Sequence, residues 1–159
     1  MSSWQKWCND QAKQRGIKKK KQGTPNKYGA NQVEVRGIRF ASKLESAVYI
    51  QLEQERQFAS KAAKEDQRPT DIVEVQCQDQ VQLTDACILY VPDFKVTLRN
   101  GDYEWHEAKG IPTQAFNIKK RLWEYYGPGP LNIWTGRHQF TQITQTIIPK
   151  TKKLPVPVL

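Results

Sequence analysis

The 159-residue chain has little cysteine: Cys8, Cys77 and Cys87 form no CxxC pair. An odd count without paired spacing argues against a disulfide framework and against a zinc knuckle, and predicts reduced, mostly structural thiols. Long hydrophobic runs are absent as well. Nothing approaches the roughly 18–20 apolar residues of a membrane span, and the opening Met1-Ser2-Ser3-Trp4-Gln5-Lys6 lacks the apolar block of a secretory signal. A soluble, intracellular protein with no membrane partner is expected. No internal repeat is visible, and the length suits one domain with one modest core. Mean hydropathy is −0.75, yet 38% of residues are apolar, enough for a folded centre between polar ends.

Acidic residues are scarce at both ends. Residues 1–36 carry +7, residues 37–109 carry −4 and residues 110–159 carry +6, within an overall charge of +9. Basic flanks around an acidic centre suit a polyanion gripped outside and a cation held inside, which nucleic acid and a divalent metal satisfy; a solvated charge pattern with a basic tail satisfies it too.

Along the chain, Lys18-Lys19-Lys20-Lys21 and the turn cluster after it read as a basic arm over 1–30. Trp4 and Trp7 are spaced for a helical turn that is marginal alone. Val33 to Phe40 alternates around Gly37 as a strand or hairpin. Ser42 precedes a helical period from about 43 to 58, and residues 59–71 read as a frayed helix end and loop. Strand alternation follows at Val73-Val75-Cys77 and Val81-Leu83, and Ile88-Leu89-Tyr90-Val91 suits a central strand. Strands are also expected after Pro92-Asp93-Phe94 and over Tyr103–Lys109, joined at Asn100-Gly101. A helix from about Thr113 to Tyr126 and a final core strand over Leu131–Thr135 complete the domain, 31–148, before an extended Pro-punctuated tail over 149–159. This order predicts an α/β fold with a mixed sheet flanked by helices.

Glu107 and Lys109 are two apart on one strand, so both leave the face that presents Tyr103 and Trp105. Antiparallel pairing across the Asn100-Gly101 turn can bring Asp93 beside Glu107, and two such carboxylates repel unless a cation lies between them. A hard ion such as Mg²⁺ takes oxygen ligands of this kind. Each residue also has a plain structural role open to it: Glu107 and Lys109 as strand charges, Asp93 as a turn former after Pro92, and Glu45, three after Ser42, as the acid of a capping box. His106 points to the opposite face and is excluded from catalysis. Gln76 is a weak polar candidate near the central strands, and His138 is at most a phosphate contact.

Phe40-Ala41-Ser42-Lys43-Leu44-Glu45, Pro92-Asp93-Phe94, Asn100-Gly101 and Glu107-Ala108-Lys109-Gly110 together resemble the PD-(D/E)xK nuclease superfamily, and within it the phage endonuclease I-type Holliday-junction resolvases. From Lys27-Tyr28-Gly29-Ala30-Asn31 to Lys120-Arg121-Leu122-Trp123-Glu124 the chain also resembles a phage-encoded family of small proteins with the same nuclease core. The resemblance implies a restriction-endonuclease-like fold and metal-dependent cleavage of DNA, with four-way junctions as substrate, Mg²⁺ (or Mn²⁺) as cofactor and a homodimer as the working unit in the host cytoplasm. It implies that Glu45, Asp93, Glu107 and the Ala108 carbonyl ligate the metal and that Lys109 is the catalytic lysine. The segment between Glu45 and Asp93 is longer than in those resolvases, so their dimer-forming bridge has no counterpart that can be located. A nicking or end-processing nuclease and a non-catalytic basic nucleic-acid-binding protein are the alternatives. DNA phosphates would meet Lys119, Lys120 and Arg121 on the second helix, and Lys18, Lys19, Lys20 and Lys21 on the arm. Phe116, Trp123 and Tyr126 of that helix read as core.

Overall fold

The computed structural model describes residues 32–84, 88–137 and 140–150. The basic arm with Lys18, Lys19, Lys20 and Lys21, Trp4, Trp7, Cys8, Cys87, His138 and the tail beyond Lys150 lie outside the described residues.

A hairpin opens the described chain: β1 (Val33–Val35) pairs antiparallel with β2 (Ile38–Phe40). Its turn needs left-handed backbone at two successive residues, Arg36 (φ 52°) and Gly37 (φ 80°), which is why the alternation breaks at a glycine. Helix α1 (Lys43–Lys61) follows. The Ser42 hydroxyl accepts from the Glu45 amide at 3.1 Å, and the Glu45 carboxylate accepts from the Ala41 amide at 3.0 Å and the Ser42 hydroxyl at 3.1 Å. This reciprocal cap starts the helix where the sequence places it. The helix runs one turn beyond the expected end at 58, because Ala59 to Lys61 offer nothing that breaks it.

The main sheet has the order β3 (Ile72–Cys77), β6 (Phe94–Leu98), β7 (Tyr103–Ala108), β8 (Leu131–Arg137), β9 (Phe140–Ile147). All neighbours are antiparallel except β7 and β8, whose parallel pairing requires a crossover. Helix α2 (Gln114–Tyr126), capped by the Thr113 hydroxyl, supplies it. The architecture is therefore α/β, with a mixed five-stranded sheet and two α-helices among the described residues. Among the described residues no helix is long and apolar enough to cross a membrane.

Strand parity divides the core in two. Phe94, Val96, Leu98, Ala108 and Trp134 meet Val48, Tyr49 and Leu52 of α1. Trp105, Leu131, Ile133 and Ile147 meet Phe116 and Trp123 of α2. Trp123 is wholly buried, edge-on to Trp105 at 5.5 Å and to Tyr90 at 5.7 Å, and its Nε1 donates to the Gly129 carbonyl at 2.8 Å. The break after α2 is glycine because a Cβ at Gly127 would stand 2.5 Å from the Trp123 ring.

Three expectations are corrected. Ile88–Val91 is not a central strand: only Leu89–Tyr90 (β5) is extended, and it pairs with β4 (Val81–Gln82) in a separate two-stranded ribbon. Ile88 and Val91 remain exposed, while Val81, Leu83 and Tyr90 bury against α2 and β7; Pro92 follows too closely for a longer strand. Leu131–Thr135 is not the last strand, since β8 continues to Arg137 and β9 follows. The β9 sequence hid itself because Phe140 to Thr146 is largely solvent-exposed and uncharged, so no apolar alternation marks it. Tyr126, expected in the core, is 45% exposed; at the end of α2 it lies past the face that carries Phe116 and Trp123.

Candidate active site

The β6–β7 hairpin is built first by its turn. Gly101 takes φ 90°, its amide donates to the Leu98 carbonyl at 3.0 Å, and the Asn100 side chain accepts from the Asp102 amide at 3.0 Å. The resulting register pairs Phe94 with His106, which sets Asp93 level with Glu107 at the far end of the hairpin. The Ala108 amide donates to Asp93 Oδ2 at 2.8 Å, tying the two strands together there. The start of α1 lies at the same end, close enough for the charge of Glu45 to act on both Asp93 and Glu107.

These neighbours shape the electrostatics. Burial pushes the Asp93 carboxyl well above the usual carboxylate range, and the charges of Glu107 and Glu45 push it further, against the Ala108 amide and Lys109. Glu107, 5% exposed, is raised by burial and by Glu45, while Lys109 and Tyr90 oppose the rise. The Lys109 ammonium stands 3.4 Å from Glu107 Oε1 and 5.0 Å over the Phe116 ring. The Tyr90 hydroxyl is near enough to stabilise the Glu107 charge, but the contact falls short of hydrogen-bond geometry, so Tyr90 Oη and Glu107 Oε2 are both buried without a partner. Burial and the Glu107 charge raise the Tyr90 hydroxyl, which stays protonated and available as a donor.

The structure thus brings Asp93, Glu107, Ala108 and Lys109 together at one end of the central β6–β7 hairpin, with Glu45 near them. Ala108 is placed there through its amide. The Glu45 carboxylate is engaged in the helix cap, and among the described residues no three His, Cys, Asp or Glu side chains stand close enough to form a metal-binding group. Asp93 and Glu107 do fit a hard divalent cation: both supply oxygen, among the described residues the Lys109 ammonium is the one cation paired with them and it meets Glu107 through Oε1, and Glu107 Oε2 has no other partner.

Of the cations of α2, Lys119 lies at the site, its Nζ 5.3 Å over the Tyr90 ring. Lys120 reaches the other way, to Gln145 of β9 at 3.2 Å, and Arg121 is exposed. Gln76 is exposed on β3 and bonds Glu74, which leaves it a surface amide. Tyr90 is the residue the sequence did not single out. Inside an apolar run its hydroxyl carried no signal, and only the folding of the β4–β5 ribbon onto α2 aims it at Glu107.

His106 does point away, as strand parity requires. Its Nδ1 accepts from Trp134 Nε1 at 2.8 Å, which fixes the neutral tautomer with the proton on Nε2. Burial lowers its pKa to about 4 from 6.5. The unfolded chain therefore takes up a proton before the folded one does, and stability is lost as pH falls from 6.5 towards 4. The expected loss is about 3 kcal/mol. It is measurable as the difference between wild-type and H106Q denaturation midpoints across that window, with equal slopes counting against the assignment.

No curated protein and no solved structure matches the chain. A family model does, over residues 25–155, and its description is a protein of unknown function, DUF1064. The matched stretch takes in every strand and helix of the described residues and all of Glu45, Tyr90, Asp93, Glu107 and Lys109, so the chain belongs to the DUF1064 family.

Proposed function

We propose that this protein is a divalent-metal-dependent DNA endonuclease of the PD-(D/E)xK kind, acting on four-way junctions as a homodimer in the cytoplasm of a phage host. The observation that carries the reading is the pair Asp93 and Glu107. Two buried, mutually destabilising carboxylates stand side by side at one end of the central β6–β7 hairpin, one with an unpartnered oxygen, next to a lysine. A purely structural pair of acids would be expected to find donors for every oxygen.

Asp93 and Glu107 would hold Mg²⁺ or Mn²⁺, which when bound supplies Lewis-acid polarisation of a phosphodiester and a more acidic water. The remaining work falls to the chain itself. The Ala108 amide fixes Asp93 in orientation. Lys109, held between Glu107 and the Phe116 ring, places a positive charge where charge grows on the phosphate, or orients the attacking water. Lys119 over Tyr90 gives the backbone of the substrate a second cation from the α2 side. Glu45 joins the ligands only by giving up its bonds to the Ala41 amide and Ser42 hydroxyl. A twofold dimer follows from the substrate, because symmetric incision needs two sites and one chain supplies one.

The Glu45 cap favours a second reading, a basic nucleic-acid-binding protein whose acids are structural. Cleavage of a labelled four-way junction, beside linear duplex and single strand, with Mg²⁺, Mn²⁺ or EDTA and an E107A control, separates the two. Metal-dependent paired cuts at the junction, absent in E107A, are expected. A preference for nicked or flapped duplex selects an end-processing nuclease instead, and binding without cutting under every condition selects the non-catalytic protein.

A further inference from the structure

Three buried side-chain polar atoms among the described residues lack a hydrogen-bond partner: Tyr90 Oη, His106 Nε2 and Glu107 Oε2. Two of the three share one place: Tyr90 packs in the same cluster as Phe116, and the Lys109 ammonium that meets Glu107 Oε1 at 3.4 Å lies 5.0 Å over that Phe116 ring. Tyr90 is 4% exposed and Glu107 5% exposed, so neither atom has bulk water to turn to. Tyr90 carries the one hydroxyl in a cluster otherwise made of aliphatic side chains, Phe116, Trp105 and Trp123, and the two indole N–H groups there are both bonded, Trp123 to the Gly129 carbonyl and Trp105 to Asp79. Phenylalanine would fill the same volume against Trp123, and the Lys119 ammonium would still find a ring beneath it. Packing therefore explains the ring and leaves the hydroxyl unexplained.

We infer that Tyr90 is a positioning residue for Glu107: the β4–β5 ribbon lays it over the site so that its hydroxyl holds the Glu107 Oε2 side of the carboxylate, directly or through one water, while Lys109 holds Oε1. The carboxylate is then gripped from both sides in the orientation a cation beside Asp93 requires. Short covalent distance supports the pairing, since only Val91 and Pro92 separate Tyr90 from Asp93, and wholly buried Pro92 makes that link stiff. Removing a partner that orients a metal-binding side chain typically costs about 10–100-fold in metal affinity or activity.

This inference rests on reading Asp93 and Glu107 as a metal site, and the test separates the two. Mn²⁺ binding to the full chain is measured by electron paramagnetic resonance for wild type and Y90F, together with melting temperature in EDTA and kcat and KM on the junction. Y90F is expected to bind Mn²⁺ about 10–100-fold more weakly. Its melting temperature should not fall, and kcat should fall with KM for DNA unchanged. Wild-type Mn²⁺ affinity and kcat in Y90F overturn the role of Tyr90 while leaving the metal site standing, as does a variant that loses only thermal stability. A wild-type chain with no affinity for Mn²⁺ overturns the metal site and the role of Tyr90 with it. If Y90F does not fold, the near-ultraviolet difference spectrum carries the test: Mn²⁺ should perturb tyrosine absorption in wild type and not in E107Q. No tyrosine perturbation in wild type overturns the inference.

Discussion

Asp93→Asn should make the metal-free protein more stable and the enzyme inactive. Asparagine keeps an oxygen that can accept from the Ala108 amide at the place Asp93 Oδ2 now occupies, so the tie between β6 and β7 survives. What it removes is a charge that burial, Glu107 and Glu45 all disfavour. The gain at neutral pH is expected to be at least on the order of 1 kcal/mol. Its pH dependence has a definite sign. Asp93 and Glu107 both bind protons more tightly in the folded chain, so the stability they contribute is complete below the ordinary carboxylate range and drains away as pH rises through their elevated values. Thermal denaturation in EDTA should therefore show the stability advantage of D93N over wild type growing as pH rises through that window, the opposing contribution of His106 being common to both proteins. Adding Mg²⁺ or Mn²⁺ should reverse the order, because a cation bound only by the folded wild type stabilises it by mass action. Cleavage by D93N should drop at least about a thousandfold, roughly 4 kcal/mol of transition-state stabilisation. A D93N protein that is less stable than wild type in EDTA at every pH would mean that the carboxylate pair is structural.

Trp123→Ala should cost the most stability of any single truncation near the site. The ring is completely buried, braces both Tyr90 and Trp105, and satisfies the Gly129 carbonyl through its Nε1. Loss of a buried tryptophan costs about 3–5 kcal/mol through lost transfer energy and the cavity left behind. For a domain of this size that is a fall of roughly 10 °C in melting temperature. The cavity opens directly beneath the ribbon that carries Tyr90, so cleavage should be lost even at temperatures where the variant is folded. Trp123→Phe, which keeps most of the ring contact but not the donor, should retain the fold with a smaller loss. Calorimetry beside the junction assay checks both, and a W123A chain with wild-type melting would show that the α2 side of the core is not what holds the ribbon.

Local signals in the sequence were strong wherever a single residue type decides the backbone. Gly37 and Asn100-Gly101 fix two hairpin turns because few other residues take left-handed backbone there. Ser42 and Glu45 fix the start of α1 by reciprocal capping. Since side chains alternate along a strand, the same hairpin also determined that Glu107 and Lys109 share a face, that His106 leaves by the other, and that Asp93 stands opposite Glu107. Tertiary structure alone decided the rest. Whether Ile88–Val91 became a central strand depended on whether α2 and β7 offered its aromatic ring a better place than a sheet ladder did, and they did. The edge strand β9 exists because β8 presents it a hydrogen-bonding edge, an effect that leaves no apolar pattern in a solvent-exposed segment. Burial of Glu107 and the approach of Tyr90 are likewise long-range outcomes, set by how two helices and a ribbon pack on one sheet. Periodicity and capping are properties of neighbours in sequence, whereas the acidity of Asp93 and Glu107 is a property of what surrounds them.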